Sequence, residues 1–502
     1  MKIIKIITVI LFVLQSIYSF AQNTSFYIQI DDPEIIPEIT KGEESNFLEI
    51  KSKKTELDIL YKKYKIKKFE KAFPTAITPS LKNVYHIKCN DKYLGIELKE
   101  KYKGKIPRLE YRGVGMLTYA PDDYGLAMGQ TNLDLINAKD AWDITLNLPI
   151  IDIGISDTGF DLNHEDLNMT LFSGSNTSTY YHGTSVAGCV GAQTDNNLGL
   201  ASVAFDANLV VTSNYNDDNE ILLLARAGYR VINCSWEDTC FSSSIQEELY
   251  DEIRNVWNAI VVFGAGNSGS YHCGNNEPAF PGSYESNIAV TSVGHIFEVG
   301  TSQSPAVNNN WKDVHEEIIG DSLSAHKHHA TIDICAPGYN ISTTDRTGSS
   351  GRSSGNYTNV WGTSFAAPQV AGTLGLIISV NPCLSADEAV DILLDNADNS
   401  IYNIPQNQRY IGRLGSGRLD VYASVNAAAE SATTYLEDLT LTGNQNIEDN
   451  YAIRVVDNVT IASGADINFI TRKEVTIDKN FTVPAGATFE IDINVDNTVN
   501  CN

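Results

Sequence analysis

The stretch WGTSFAAPQVAG, residues 361–372, holds one hydroxyl, Ser364, inside a run of Gly, Ala and Thr. Pro368 follows four residues later, in what otherwise reads as the start of a helix. Small residues let a helix lie tight against a sheet, as expected of Ala366 and Ala367, and Gly362 lets another backbone approach. A serine at such a helix start faces free N–H groups and the positive end of the helix dipole. Pro368 is expected in the first turn, where a missing N–H costs little.

Outward from this stretch, residues 121–430 alternate short apolar runs with helical segments. PIIDIGISD, NLVVTS, RVINCSW, AIVVFGAG, IAVTSVG and ATIDICAPG read as strands. GTSVAGCVGA, ILLLARAG, SIQEELYDEIRNVWN and SADEAVDILLDNA read as helices. The strands are continuous apolar runs without strict alternation, which predicts a parallel sheet covered by helices on both faces. The fold class is therefore α/β.

Three other regions flank this domain. Lys2 and Lys5 precede an apolar run from Ile6 to Phe20, and Ser19-Phe20-Ala21 gives a small-x-small cleavage site, so residues 1–21 read as a secretory signal peptide. The run is short of the ~20 apolar residues that a membrane span needs. No later segment reads as a span, so the chain is expected to be secreted. Residues 22–120 are Lys-rich, with 19 Lys+Arg against 14 Asp+Glu, whereas residues 121–502 carry 15 against 48. Two opposed fields of this kind suit a basic leader held against an acidic body. The overall charge of −26 argues against a nucleic-acid partner. In the tail, 435–502, VTIASGADINFI at 459–470 recurs as FTVPAGATFEID at 481–492. A 22-residue repeat around a Gly-Ala turn predicts a small module of stacked β coils. Of eight cysteines, Cys240 and Cys273 lie in polar loops and are the best candidates for a bridge. Cys189, Cys234 and Cys335 lie in apolar runs and read as buried thiols.

Four segments carry chemistry. Asp157 ends the strand PIIDIGISD, where it could cap a helix, bind a metal or partner a histidine. His182 stands at the entrance of the helix HGTSVAG. Asn267 follows AIVVFGAG and offers an amide NH₂. Ser364 is the fourth. A serine nucleophile needs a neutral base, the base needs a carboxylate to fix its tautomer, and a developing oxyanion needs a preorganised donor. One of each is present.

These residues resemble the subtilisin-like serine proteases. DTG at Asp157, HGTSVAG at His182, GAGN at Asn267 and GTSFAAPQVAG at Ser364 match that family's signatures, in its order Asp, His, Ser. The resemblance covers roughly residues 125–430. It implies a serine endopeptidase in which Asp157 orients, His182 acts as base and then acid, Ser364 attacks and Asn267 helps hold the oxyanion. It also implies that Ser235, Trp236, Glu237, Gly264, Ala265 and Gly266 bind substrate. The 22–120 region is then a propeptide that blocks the cleft until the chain processes itself. Calcium is a habit of the family, and Asp166, Asp195 and Asn197 lie on loops that suit hard oxygen ligation. The chemistry itself calls for no cofactor.

Two departures bear on this reading. Glu237 stands where the family commonly has glycine. It either faces the pocket for the P1 side chain and favours basic residues, or turns to solvent, as expected. His326, His328 and His329 read as a solvated loop rather than a metal site. The rivals are a catalytically idle scaffold whose tail binds a surface or glycan, and an esterase, for which no GxSxG elbow is read.

Overall fold

The computed structural model describes residues 24–494 and Cys501, apart from 42–47, 65, 74–77, 90–92, 113–120, 127–129, 147, 176–179, 268–273, 275–276, 296–312 and 316–325. The segment read as a signal peptide lies outside the described residues. The chain forms two compact units, Met1–Thr118 and Tyr119–Asn502.

The first unit is α+β. Its antiparallel sheet runs in the order Ile66–Lys71, Val84–Cys89, Thr24–Gln29, Leu109–Arg112. The helices Thr55–Lys63 and Tyr93–Lys101 supply Leu57, Tyr61, Leu94 and Leu98 to a core with Phe26, Ile28 and Ile87.

The second unit is built on one sheet. Its strands are β1 (Ile153–Ser156), β2 (Met169–Ser173), β3 (Leu209–Thr212), β4 (Val231–Cys234), β5 (Ile260–Gly264), β6 (Asn287–His295), β7 (Asp313–His315) and β8 (Ile334–Pro337). They are ordered β7-β6-β5-β4-β1-β3-β2, with β8 also on β6. Every pairing is parallel except β6 with β7. The apolar runs follow from burial on both faces. Ile260 and Val262 face one core, with α1 (His182–Gly191) and α4 (Thr363–Val380). Val261 and Phe263 face the other, with α2 (Asp218–Arg226) and α3 (Ser244–Asn255). Side chains alternate along a strand, so each must be apolar when both faces are covered.

α4 runs through the middle of this unit. Every residue but Ser364 is buried, which is why it is apolar all round. Its glycines are contact points: a Cβ on Gly375 would stand 2.7 Å from Ile153 Cδ1, and one on Gly372 would stand 3.1 Å from Val203 Cβ. α4 is also the one helix among the described residues long and apolar enough to cross a membrane, and it is a core helix.

The tail forms parallel stacked coils. Val459 pairs with Phe481 and Asp466 with Thr488, the 22-residue offset of the repeat. The structure adds a third coil that the repeat did not reveal. Thr433–Leu441 and Asn444–Asp449 stack beneath Ala452–Ile461 and Asp466–Thr471. Gly443, Gly464 and Gly486 take the same corner, each at positive φ (72°, 81° and 88°). The module is joined to the α/β domain: Tyr451 and Ala452 belong to the main core, and a disulfide links Cys383 to Cys501.

Candidate active site

The C-terminal ends of the central strands converge, as open α/β sheets require of their sites. Asp157 is one residue beyond β1, Ser235 one beyond β4 and Asn267 three beyond β5. His182 and Ser364 open α1 and α4.

Asp157 is 1% exposed. Its carboxylate accepts a hydrogen bond from the Thr158 N–H at 2.7 Å and lies 2.8 and 3.0 Å from His182 Nδ1. Burial opposes charging the imidazole, but the Asp157 carboxylate outweighs it and holds the His182 pKa above its ordinary value. The His182 ring packs on Phe365, with centroids 5.3 Å apart, which brings it over the first turn of α4. Gly183 permits this approach, because a Cβ there would stand 2.4 Å from the Gly159 carbonyl oxygen.

Ser364 is half-buried, and its hydroxyl donates to the Ser235 carbonyl at 3.3 Å. Gly362 ahead of it has φ +136°, open to glycine and strained for other residues. Pro368 does not lie in the first turn: it is the sixth residue of α4. Its missing N–H would have bonded the Ser364 carbonyl. That carbonyl instead accepts the Ser235 hydroxyl at 2.7 Å, so the proline leaves no orphan.

The Asn267 Oδ1 accepts the Thr363 N–H at 3.1 Å, which fixes the amide beside Gly362. Its Nδ2 has no hydrogen bond to a described residue and remains available as a donor. Thr363, unnoticed in the sequence, also accepts the Gly266 N–H on its hydroxyl at 3.1 Å.

The 326–329 segment is not a solvated loop. His326, Lys327, His328 and His329 are all buried. Thr291 Oγ1 lies 3.0 Å from His328 Nδ1, and Thr331 Oγ1 lies 2.9 Å from His329 Nδ1. Among the described residues no group of three His, Cys, Asp or Glu is arranged to hold a metal. Lys327 is the reason that Glu237 does not turn to solvent. Its Nζ lies 2.8 Å from Glu237 Oε2, and the two side chains are 0% and 17% exposed.

The three residues read as calcium ligands separate. Asp166 is fully buried and accepts Asn196 Nδ2 and the Leu200 N–H. Asp195 and Asn197 shape the loop, with φ of 66° and 60°, and Asp195 accepts the Asp122 N–H. The group coupled to Asp166 is Asp123, which no motif marked. It is fully buried and its Oδ1 has no partner. Burial pushes Asp123 up to about 6 and Asp166 to about 7; the Asp122 carboxylate adds to the first shift, and the Asp123 and Glu165 carboxylates add to the second. The unpartnered Asp123 Oδ1, in a loop it shares with the buried Asp166 carboxylate, is an oxygen donor that suits a hard cation.

Cys240 is disulfide-bonded, while Cys273 lies outside the described residues. Cys189, Cys234 and Cys335 are buried thiols outside any disulfide. The GxSxG spelling does occur, at Gly351–Gly355, but not at a strand-to-helix elbow. It leads into the strand Tyr357–Val360, and Ser353 donates to the carbonyls of Gly355 and Tyr357.

Fold and site together define a class: a parallel-sheet α/β domain that gathers a carboxylate–imidazole pair, a helix-entrance serine and a free amide at its strand ends. The family model described as the subtilase family matches residues 151–417, and the chain belongs to that family. It is 30% identical over 280 residues to thermitase of Thermoactinomyces vulgaris, covering 52% of this chain and 86% of that one. It is 30% identical over 264 residues to subtilisin DY of Bacillus licheniformis (50% and 84%). An extracellular protease of Xanthomonas campestris is 26% identical over 432 residues (74% and 65%).

Proposed function

We propose that the chain is a secreted serine endopeptidase, made as a proenzyme, that cleaves peptide bonds through an acyl-enzyme. The observation that carries this reading is the bidentate approach of Asp157 to His182 Nδ1 at the entrance of the serine-bearing helix. A bond to Nδ1 leaves Nε2 as the basic nitrogen. Ser364 turns its hydroxyl from the Ser235 carbonyl to Nε2 and attacks the peptide carbonyl as the proton passes to His182. The oxyanion takes hydrogen bonds from Asn267 Nδ2 and from the Ser364 N–H, which has no intrahelical partner in the first turn. His182 then gives its proton to the leaving amine. A water, deprotonated by His182, releases the acyl group and restores the serine.

In this reading the basic 22–120 region is the propeptide, and its charge complements the acidic remainder. Asp123 and Asp166 would hold calcium within the loop shaped by Asp195 and Asn197. When bound, the ion supplies charge neutralisation and no chemistry.

The test is fluorophosphonate labelling together with peptide hydrolysis by the full-length product. Wild type should label at Ser364 and cleave. Ser364→Ala should do neither and should keep residues 22–120 attached. An unlabelled, inactive wild type returns the reading to an idle scaffold, and normal trimming of Ser364→Ala removes self-processing.

A further inference from the structure

The ends of β4 and β5 flank the candidate nucleophile. Ser364 donates to the Ser235 carbonyl, and the Gly266 N–H donates to Thr363. A peptide with its carbonyl carbon at Ser364 and its oxygen at Asn267 therefore lays its P1 side chain between Ser235–Glu237 and Gly264–Gly266. That wall contains the Lys327–Glu237 pair. Lys327 is fixed at its backbone, where its N–H donates to the Gly266 carbonyl at 2.9 Å and its carbonyl accepts Thr291 Oγ1 at 2.6 Å. Glu237 lies across Gly266. A Cβ on Gly266 would stand 2.0 Å from Glu237 Oε2, 2.8 Å from its Cδ and 3.0 Å from Lys327 Cδ.

We propose that Lys327 and Glu237 together determine P1 specificity, as a charge-neutral partition that fills the depth of the pocket beside Gly266 and selects short, uncharged P1 side chains. The proposal rests on the serine protease reading. A lone carboxylate here would attract Lys or Arg, but an ammonium 2.8 Å away cancels its field. A basic or acidic P1 residue gains only by breaking the pair, which leaves the other charge buried and alone. A long apolar side chain must lift Glu237 off Gly266. Alanine, serine and glycine meet neither obstacle.

The proposal is tested by P1 profiling on one peptide library, with the full-length product and three variants. Wild type should favour Ala, Ser and Gly. Lys327→Met unmasks the carboxylate and should raise Lys and Arg, relative to Ala, by about tenfold or more in kcat/KM. Glu237→Gln unmasks the ammonium and should raise Asp and Glu. Glu237→Gly with Lys327→Met leaves no buried charge, so it stays informative if a single variant fails to fold, and it should raise Leu and Phe. A wild type that prefers basic or large apolar P1 residues overturns the proposal. So do Lys327→Met and the double variant if both keep the wild-type profile. Those results leave the protease reading intact, whereas a wild type that neither labels nor cleaves takes both down.

Discussion

Cys501 offers a clean perturbation of the tail. Its disulfide to Cys383 spans 118 residues of sequence and closes a loop around the whole coil module. In the chain-entropy model, losing a cross-link of that span costs about 4.9 kcal/mol at 25 °C, mostly by freeing the unfolded chain. For a unit covering residues 119–502, the unfolding entropy is about 0.8 kcal/mol per degree, so Cys501→Ser should lower Tm by about 6 °C if the unit melts cooperatively. Calorimetry without reductant is the assay, since reductant would also open the bridge at Cys240. Cys383→Ala should match Cys501→Ser, and the double variant should match either, because all three remove the same bond. Activity at low temperature should not change, since neither cysteine is near Ser364 in the fold. A Cys501→Ser midpoint within about 1 °C of wild type would refute the reasoning and mean that the module is held by packing alone.

Asp157 holds the His182 pKa up, and the base must be neutral, so activity should fall with acid around a midpoint above the ordinary ~6.5. In Asp157→Asn that limb should move to lower pH while kcat drops; an unmoved limb removes Asp157 from the role. Asn267→Ala should lower kcat by about 10²–10³ with little change in KM, a magnitude established on a subtilisin oxyanion donor rather than worked from these distances. An effect on KM alone would make Asn267 a ground-state contact. Calcium at about a hundred times its Kd should add about 2.7 kcal/mol to stability. Asp123→Asn and Asp166→Asn should each blunt that gain, and a Tm indifferent to chelator in wild type would dismiss the site.

Much of the site was legible because its parts are local. Small residues around His182 and Ser364 mark close approach, and apolar runs ending in Asp157 and Asn267 mark buried strands with polar ends. What escaped involves partners far apart in sequence. Pro368 was misread because the donor that replaces its missing N–H at the Ser364 carbonyl, Ser235, comes from the end of β4, far away in sequence. Glu237 was misread because its neutralising lysine lies 90 residues away, in a stretch whose polar composition suggested a loop. Asp123 carried no motif, and only burial next to Asp166 marks it. The third coil was hidden because it keeps the corner glycine, Gly443, and inward residues such as Leu436, Leu441 and Ile447, but has Asn444 where the other two have alanine, and its outward residues are polar and unlike theirs.

α4 carries different burdens at its two ends. Ser364 meets the N-terminal end, where unpaired N–H groups favour a developing anion. At the other end the carbonyls need donors, and the coil module provides one: Arg472, itself buried, donates to the Ser379 carbonyl at 2.9 Å. A cation there also complements the helix dipole. Asn450 joins it, donating to Asn381 at the helix cap. Fifteen residues of helix put about 22 Å between Ser364 and Ser379. Dipole effects fade within a turn, so Arg472 cannot tune the charge that Ser364 feels. The module's contribution therefore enters through the stability of the helix that positions the serine, and not through the chemistry at its other end.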